Sequence, residues 1–350
     1  MTRTLAHSLH LLAKRNNWDF KLWSAYDSNS DLMPQYLPVK EFIGFGANRV
    51  AFVLKTLMSV KKPDVIIISH INLALIGLLA KAMNPKCQVW LIAHGIEVWR
   101  PLSVLKNIFL KRCDKVICVS NFTKQQMISR HQTDPLICEV LNNAVDSFIK
   151  LPVTFTKPAQ LLKRYNLTTD APVIFTLTRL ASTEQYKGHD QVIKVIGCLK
   201  TKFPGIKYIL GGLHDHKEEI RIRKLITDAK VEAQVILTGF IEEAEIADHF
   251  LLADLFVLPS KKEGFGIVFI EALACGLPVV CGNADGSIDA ICNGKLGKAV
   301  NADDPVELEN AISSYLHNPL TAERRQYLQH ECLEHFNEND YIDKLEKMLG

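Results

Sequence analysis

Residues 263–271 read EGFGIVFIE, two carboxylates eight residues apart with a pair of glycines between them. Upstream, Leu255-Phe256-Val257-Leu258 is a short apolar run of strand type that Pro259-Ser260 ends, and downstream residues 267–274 have the length and apolar content of a buried helix. Glu263 is therefore expected on a strand-to-helix loop. Gly264 and Gly266 let backbone N–H groups at the helix N-terminus approach a ligand closely, and the orphan donors and macrodipole there favour phosphate or hydroxyl oxygens. Glu271 lies about a turn and a half deeper into the helix. Both carboxylates can accept hydrogen bonds from vicinal hydroxyls, the loop glutamate from a sugar ring and the helical one from a ribose. Taken alone, a surface Glu and a helical Glu flanking a tight turn is an equally good reading.

On both sides of this stretch, strands and helices alternate. In the first half, strands are expected at 20–25, 65–69, 89–93, 115–119 and 137–141, with helices at 5–14, 49–60, 73–83, 102–111 and 123–130. Residues 142–158 (NNAVDSFIKLPVTFTKP) break the pattern and read as an interdomain linker. Alternation restarts with strands at 173–178, 206–210, 235–237, 255–258 and 278–281. This predicts an α/β chain of two doubly wound, Rossmann-like domains with parallel sheets. The boundaries expected are 1–150, 151–335, and a final helical segment at 336–350 that crosses back to the first domain. The chain length of 350 residues agrees with two domains at about 150 residues each.

Composition is that of an ordinary globular protein, 48% hydrophobic and 23% charged. The longest apolar region, residues 65–83, is interrupted by Ser69, His70, Asn72 and Lys81, and reads as a strand followed by a helix rather than a membrane span. Arg3, His7, His10 and Lys14 interrupt what would be the apolar part of a signal peptide, so a cytoplasmic location is expected. Nine cysteines without a Cys-x-x-Cys spacing, mostly in apolar runs such as those of Cys87, Cys118, Cys198 and Cys281, are expected to be buried, reduced thiols. His214-Asp215-His216 is the only local grouping that hints at zinc, and a polar helix start explains it better.

The net charge of +3 conceals an asymmetry. Nineteen Lys and Arg against ten Asp and Glu give +9 for residues 1–150, whereas twenty-two against twenty-eight give −6 for residues 151–350. Lys106, Lys111, Arg112 and Lys115, close behind Trp99 and Arg100, form a basic and aromatic patch suited to an anionic membrane surface or a lipid diphosphate. A solvated basic face is the plainer alternative. No nucleic-acid-binding module is present, so nucleic acid is not an expected partner.

In this order along the chain, EGFGIVFIE followed by ALACGLPVV resembles the donor-site signature of the retaining glycosyltransferases of family 4, and the similarity runs from about Leu5 to the C-terminus. The resemblance implies a GT-B architecture, two Rossmann-like domains facing a central cleft. It also implies a metal-independent hexosyltransferase without a cofactor, using a UDP- or GDP-linked sugar as co-substrate. The absence of Asp-x-Asp agrees with a leaving diphosphate held by protein donors.

Several residues acquire roles through the same resemblance. In TRLASTEQYKGHD (178–190), Arg179 and Lys187 match the family's cations on the donor diphosphate, where two charges stabilise the leaving group. His94, in His94-Gly95-Ile96-Glu97, matches a contact to the donor sugar, and Glu97, Trp99 and Arg100 fall on the acceptor side. Gly211 and Gly212 match a glycine step beside the nucleotide, and Phe240 and Ile241 lie where the family holds its base. With Glu263 among the catalytic residues, Gly264, Phe265, Gly266 and Glu271 complete the donor side. Asn143-Ala144-Val145-Asp146 matches the family's domain junction and carries no chemistry.

Family members begin with a strand and a glycine-rich loop ahead of the helix that here starts near Leu5. The first strand is thus read as missing, and about 15 to 25 further residues supplying it are expected upstream, a β-strand being about 5–6 residues and its loop the remainder. The reaction implied is transfer, with retention, of a hexosyl unit to a hydroxyl of a glycan, lipid-linked, in surface polysaccharide or lipopolysaccharide synthesis, at the inner face of the membrane. Alternatives are a nucleotide-sugar epimerase of the same fold and a catalytically impaired sugar-nucleotide-binding homologue without the first strand. A nicotinamide dehydrogenase is disfavoured because no G-x-G-x-x-G follows an early strand. An exported sugar-binding protein is disfavoured by the lack of a visible signal.

Overall fold

The computed structural model describes residues 2–350. The chain forms two compact units, one reaching to Ser147 and resuming at Glu338–Gly350, the other Phe148–Asn337. Residues 141–158 carry neither helix nor strand, and the first crossing between units lies within them.

The first unit contains β1 (Leu22–Ser24), β2 (Phe42–Gly44), β3 (Val65–Ile68), β4 (Gln88–Ala93), β5 (Lys115–Cys118) and β6 (Cys138–Val140). All pairings are parallel, but the strands form two sheets, β1-β2 and β3-β4-β5-β6. Central β4 is buried on both faces from Val89 to Ala93, as a parallel strand covered by helices must be. The helix Ala74–Met83 packs on Val104–Leu110 through Gly77, where a Cβ would come within 2.2 Å of the Phe109 ring. The last helix, Glu338–Leu349, buries Tyr341, Ile342 and Leu345. It is tied to the first helix, Thr2–Asn16, by hydrogen bonds of 2.9 Å from Arg15 and 2.7 Å from Asn16 to Glu346.

The second unit is one six-stranded parallel sheet in the order β12-β11-β10-β7-β8-β9. Its strands are β7 (Val173–Leu177), β8 (Lys207–Gly211), β9 (Val235–Gly239), β10 (Leu255–Leu258), β11 (Val279–Gly282) and β12 (Gly297–Val300). Because successive side chains alternate between faces, Ile174, Leu255 and Val257 enter an aliphatic core with the helices His189–Lys202 and Pro305–His317. Phe175 and Phe256 point the other way, into edge-on contacts with Phe250 and Phe269. Each such ring contributes about 1.5–3 kcal/mol by burial.

Among the described residues no helix is long and apolar enough to cross a membrane, and residues 65–83 divide into β3 and the helix Ala74–Met83. Two short strands, β2 and β12, were not anticipated. One thiol departs from expectation: Cys198 is exposed, because the core stripe of its helix falls on Val192, Ile193, Val195, Ile196 and Leu199. The other named thiols, Cys87, Cys118 and Cys281, are buried.

An ion-pair cluster braces the start of the helix His189–Lys202 against the helix His216–Asp228. His189, Asp190 and Glu218 each bring one ligand-type atom within 4.8 Å of the others, but the Arg221 guanidinium is hydrogen-bonded among them. It donates to Asp190 at 2.5 and 2.7 Å and to Glu218 at 2.6 and 2.8 Å. Asp215 caps the second helix through the Glu218 amide, 2.8 Å, as a polar helix start should. Glu218 is fully buried, so Arg221→Ala is expected to cost about 3–5 kcal/mol by leaving that carboxylate with only the His189 ring, 3.1 Å away, as a partner. A urea unfolding midpoint unchanged from wild type would contradict this.

Candidate functional site

The carboxyl ends of β7, β8, β9 and β10 lie along one edge of the second sheet, and the residues singled out from the sequence follow them directly. Two of the loops touch. At Gly188, φ is +82° and a Cβ would fall 2.3 Å from the Pro259 carbonyl oxygen, so only glycine lets the loop after β7 meet the loop after β10. Across this junction the Lys261 amide donates to the Tyr186 carbonyl at 3.0 Å. The Lys187 ammonium donates to Glu263 Oε1 at 2.6 Å, both side chains being more than four-fifths buried.

Arg179 is mostly exposed and ion-paired with Glu184. Its pKa is raised, first by that bond and further by the charge of Glu263. Arg179, Lys187 and Glu263 are thus one electrostatic group, each cation facing a carboxylate. Glu184, which sequence reading passed over, is the residue that holds Arg179. Its only signal was a carboxylate in the loop between the two cations.

A second close approach sits beside it. Gly212, at φ +137°, lies so near Thr178 that a Cβ would fall 1.7 Å from that carbonyl oxygen, which brings the β8 exit alongside Arg179. The Gly212 amide donates to Gly239 O at 2.8 Å. Ile241 is buried against Gly211, whereas Phe240 is 64% exposed.

On the β10 loop, Gly266 (φ +83°) caps the helix Ile267–Ala274. Gly264 lies just before it and Glu271 within it, half-buried. Phe265 is buried, with its ring edge-on to Phe336 at 5.7 Å, so its side chain belongs to the packing. A further residue missed from sequence is Asp285. Its carboxylate is buried and accepts from the Glu263 amide at 2.6 Å and the Ser287 amide at 2.9 Å. Burial pushes its pKa up to about 7.

In the first unit, His94 follows β4. Its Nε2 donates to the Ser69 carbonyl at 2.6 Å, and Glu97 turns back to accept from the amides of His94 (2.6 Å) and Gly95 (3.2 Å). Trp99 is buried edge-on to Phe122 at 5.1 Å, with its indole N–H unpartnered among the described residues. Arg100 is exposed. Within the basic patch, Lys115 is consumed by the fold: it donates to Met348 O at 2.9 Å, pairs with Glu139 at 2.7 Å and lies 4.6 Å over the Trp90 ring. Lys106 donates to Asn72 at 2.6 Å, and Lys111 and Arg112 are exposed.

The family model described as "Glycosyltransferase Family 4" matches residues 7–147, and "Glycosyl transferases group 1" matches residues 160–331. Among curated proteins, the GDP-mannose-dependent alpha-(1-6)-phosphatidylinositol monomannoside mannosyltransferase of Mycolicibacterium smegmatis is 30% identical over 262 residues, 71% of this chain and 66% of that protein. The chain thus spans just under two-thirds of that relative. Among solved structures, Anabaena HepE in complex with UDP is similar with TM-score 0.73, at 19% identity and with 89% and 86% of the two chains covered. A glycosyltransferase from Rickettsia africae reaches TM-score 0.78 at 18% identity, covering 99% and 93%. These likenesses establish the fold as GT-B, with two Rossmann-like domains.

Burial lowers the pKa of His94 against the smaller opposing pull of Glu97. The neutral ring is therefore favoured by folding, a contribution present above the unfolded value of about 6.5 and lost as pH falls through the depressed folded one. Imidazole nitrogen NMR is expected to show His94 neutral at pH 6.5. A midpoint at or above the ordinary value would contradict the assignment.

Proposed function

This chain belongs to the family 4 glycosyltransferases, and on that premise we propose that it transfers a hexosyl unit from a UDP- or GDP-linked sugar to a hydroxyl of a lipid-linked glycan, with retention at the anomeric carbon. The observation that carries the reading is the Lys187–Glu263 pair, joined to Arg179 at the carboxyl ends of adjacent strands and next to a helix N-terminus. Without a ligand each cation is neutralised by a carboxylate. A diphosphate entering the loop takes over those donors, leaving Glu263 to accept from sugar hydroxyls. Glu271 takes the ribose, and Gly211, Gly212, Phe240 and Ile241 border the base.

In the reaction proposed, the anomeric carbon–oxygen bond to the phosphate breaks and the acceptor oxygen bonds the same face of that carbon. The acceptor proton passes to a diphosphate oxygen. Arg179 and Lys187 stabilise the charge on the departing group, and the protein otherwise acts by positioning, without a metal. His94 contacts the donor sugar, and Glu97, Trp99 and Arg100 form the acceptor side. The UDP complex of HepE and the GDP-mannose dependence of the mycolicibacterial relative support a nucleotide sugar, and the latter's phosphatidylinositol mannoside acceptor supports a glycolipid. Surface glycan or lipopolysaccharide synthesis at the inner membrane face is the setting proposed.

Incubation with a panel of UDP- and GDP-hexoses, with and without glycolipid acceptor, tests the class. Release of nucleoside diphosphate that depends on acceptor is expected, whereas sugar interconversion without acceptor would indicate an epimerase instead. Lys187→Ala is expected to lower turnover by roughly 10²–10³, the usual loss of one preorganised donor to developing charge. A variant retaining more than about a third of wild-type turnover would remove Lys187 from that role.

The membrane contact proposed centres on the helix Val104–Leu110, where Val104, Leu105 and Ile108 are exposed beside Lys106, Lys111 and Arg112. Apolar side chains ringed by cations suit an anionic bilayer surface. Co-sedimentation with phosphatidylglycerol-containing vesicles is expected to weaken as salt shortens the screening length below about 8 Å, and to fall further in Val104→Asp/Ile108→Asp. Binding equal on neutral vesicles, or absent altogether, would leave this surface simply solvated.

A further inference from the structure

We propose that Asp285 is the positioning residue for Glu263, holding the β10 loop in register with Lys187 through its two carboxylate oxygens. The inference rests on the reading of Glu263 given above. Asp285 is 1% exposed, and among the described residues no cation pairs with it. Its Oδ2 accepts from the Glu263 amide at 2.6 Å and its Oδ1 from the Ser287 amide at 2.9 Å. The neighbouring Gly286 amide donates to the Glu263 carbonyl at 2.8 Å. The two backbones are in contact here, since a Cβ on Gly286 would lie 2.1 Å from the Gly264 carbonyl oxygen. Residue 263 is thus fixed at its N–H and C=O by the 285–287 turn, and at its side chain by Lys187.

The tie depends on protonation. As a carboxylate, Asp285 accepts from both amides, and charge strengthens each bond. Once protonated, it carries a hydrogen on an oxygen at which an N–H already points, so one bond weakens. Burial is the largest influence on this group and favours the neutral form; the Ser287 and Glu263 amides favour the ionised form, and the charge of Glu263 opposes it. The ionisable groups facing it are Glu263, itself paired with Lys187, and the buried Cys281 at the end of β11. The balance places the change close to neutral pH: above it Asp285 holds the Glu263 and Ser287 amides by two charge-strengthened bonds, and below it one of the two is weakened.

Asp285→Asn keeps the shape and one acceptor but turns an amide donor toward one of the backbone N–H groups, imitating the protonated state. Hydrogen exchange in the full chain is expected to be at least about tenfold faster across residues 260–266 in Asp285→Asn than in wild type at pH 8, with β7 unchanged. Turnover should fall about 10- to 100-fold, the scale of a small misplacement, while calorimetric affinity for UDP or GDP changes less than about twofold. The wild-type rise in turnover between pH 6 and 8 should disappear in the variant. Should the variant not fold, wild-type exchange at 260–266, corrected for intrinsic rate, should still slow as pH rises across that interval. Unchanged exchange at 260–266, or a pH rise that survives in Asp285→Asn, would overturn the proposal. If Glu263→Gln retains full turnover while Asp285→Asn still loosens the loop, the role of Glu263 fails and the tie stands.

Discussion

The close approach of two strand-to-helix loops, at Gly188 against the Pro259 carbonyl, is the constraint on which the candidate site depends. A parallel sheet delivers all its strand ends to one edge, but those ends are spaced by the sheet, and side chains reach one another only where loops bend inward. Any side chain at position 188 would collide with backbone rather than with a flexible neighbour, so the contact cannot yield cheaply. From it follow the Lys187–Glu263 pair, the hydrogen bond from Lys261 to Tyr186, and the cation contacts of Lys187 and Lys262 with the Tyr186 ring.

That pair is costly to bury. Desolvating an ammonium and a carboxylate offsets much of their attraction, so such a pair is weak evidence of stability. Arg179 shows the contrasting case: its head is largely solvated and its partnership with Glu184 is loose in energetic terms, since solvent screens it. One cation is therefore buried and fixed in place, and the other keeps its head in solvent. A helix N-terminus beside them adds donors without adding another charge to be desolvated.

Much of this was legible in the sequence because long-range alternation is a strong signal. The helix Ile267–Ala274 and strand β10 lie where the apolar runs placed them, and Asp215 caps its helix as a polar start should. The failures share a cause. Strand β2 ends in Gly44 and β12 opens on Gly297-Lys298, so neither shows the unbroken apolar run that marks the similarly short β10. Cys198 sits in an apolar-looking run, yet its helical phase puts it outside. Lys115 reads as part of a basic patch until its cross-sheet partners are known. Glu184 and Asp285 act on backbone or on a loop neighbour, and nothing in local spacing announces a partner 22 residues away.

His94, in the first unit, contrasts with Arg179 and Lys187. With Nε2–H committed to the Ser69 carbonyl and burial favouring the uncharged ring, His94 brings no positive charge to its surroundings. A neutral imidazole is a poor partner for a diphosphate and a good one for a hydroxyl, whereas Arg179 and Lys187 have the opposite preference. The two units therefore offer different chemistry, a cationic group in one and a neutral polar group in the other. Glu97 spends its carboxylate on the amides of His94 and Gly95, fixing the backbone, while its charge pulls toward protonation without outweighing burial. Replacing that carboxylate with an apolar group would free the loop without changing the ring's charge, which separates the positioning of His94 from its electrostatics.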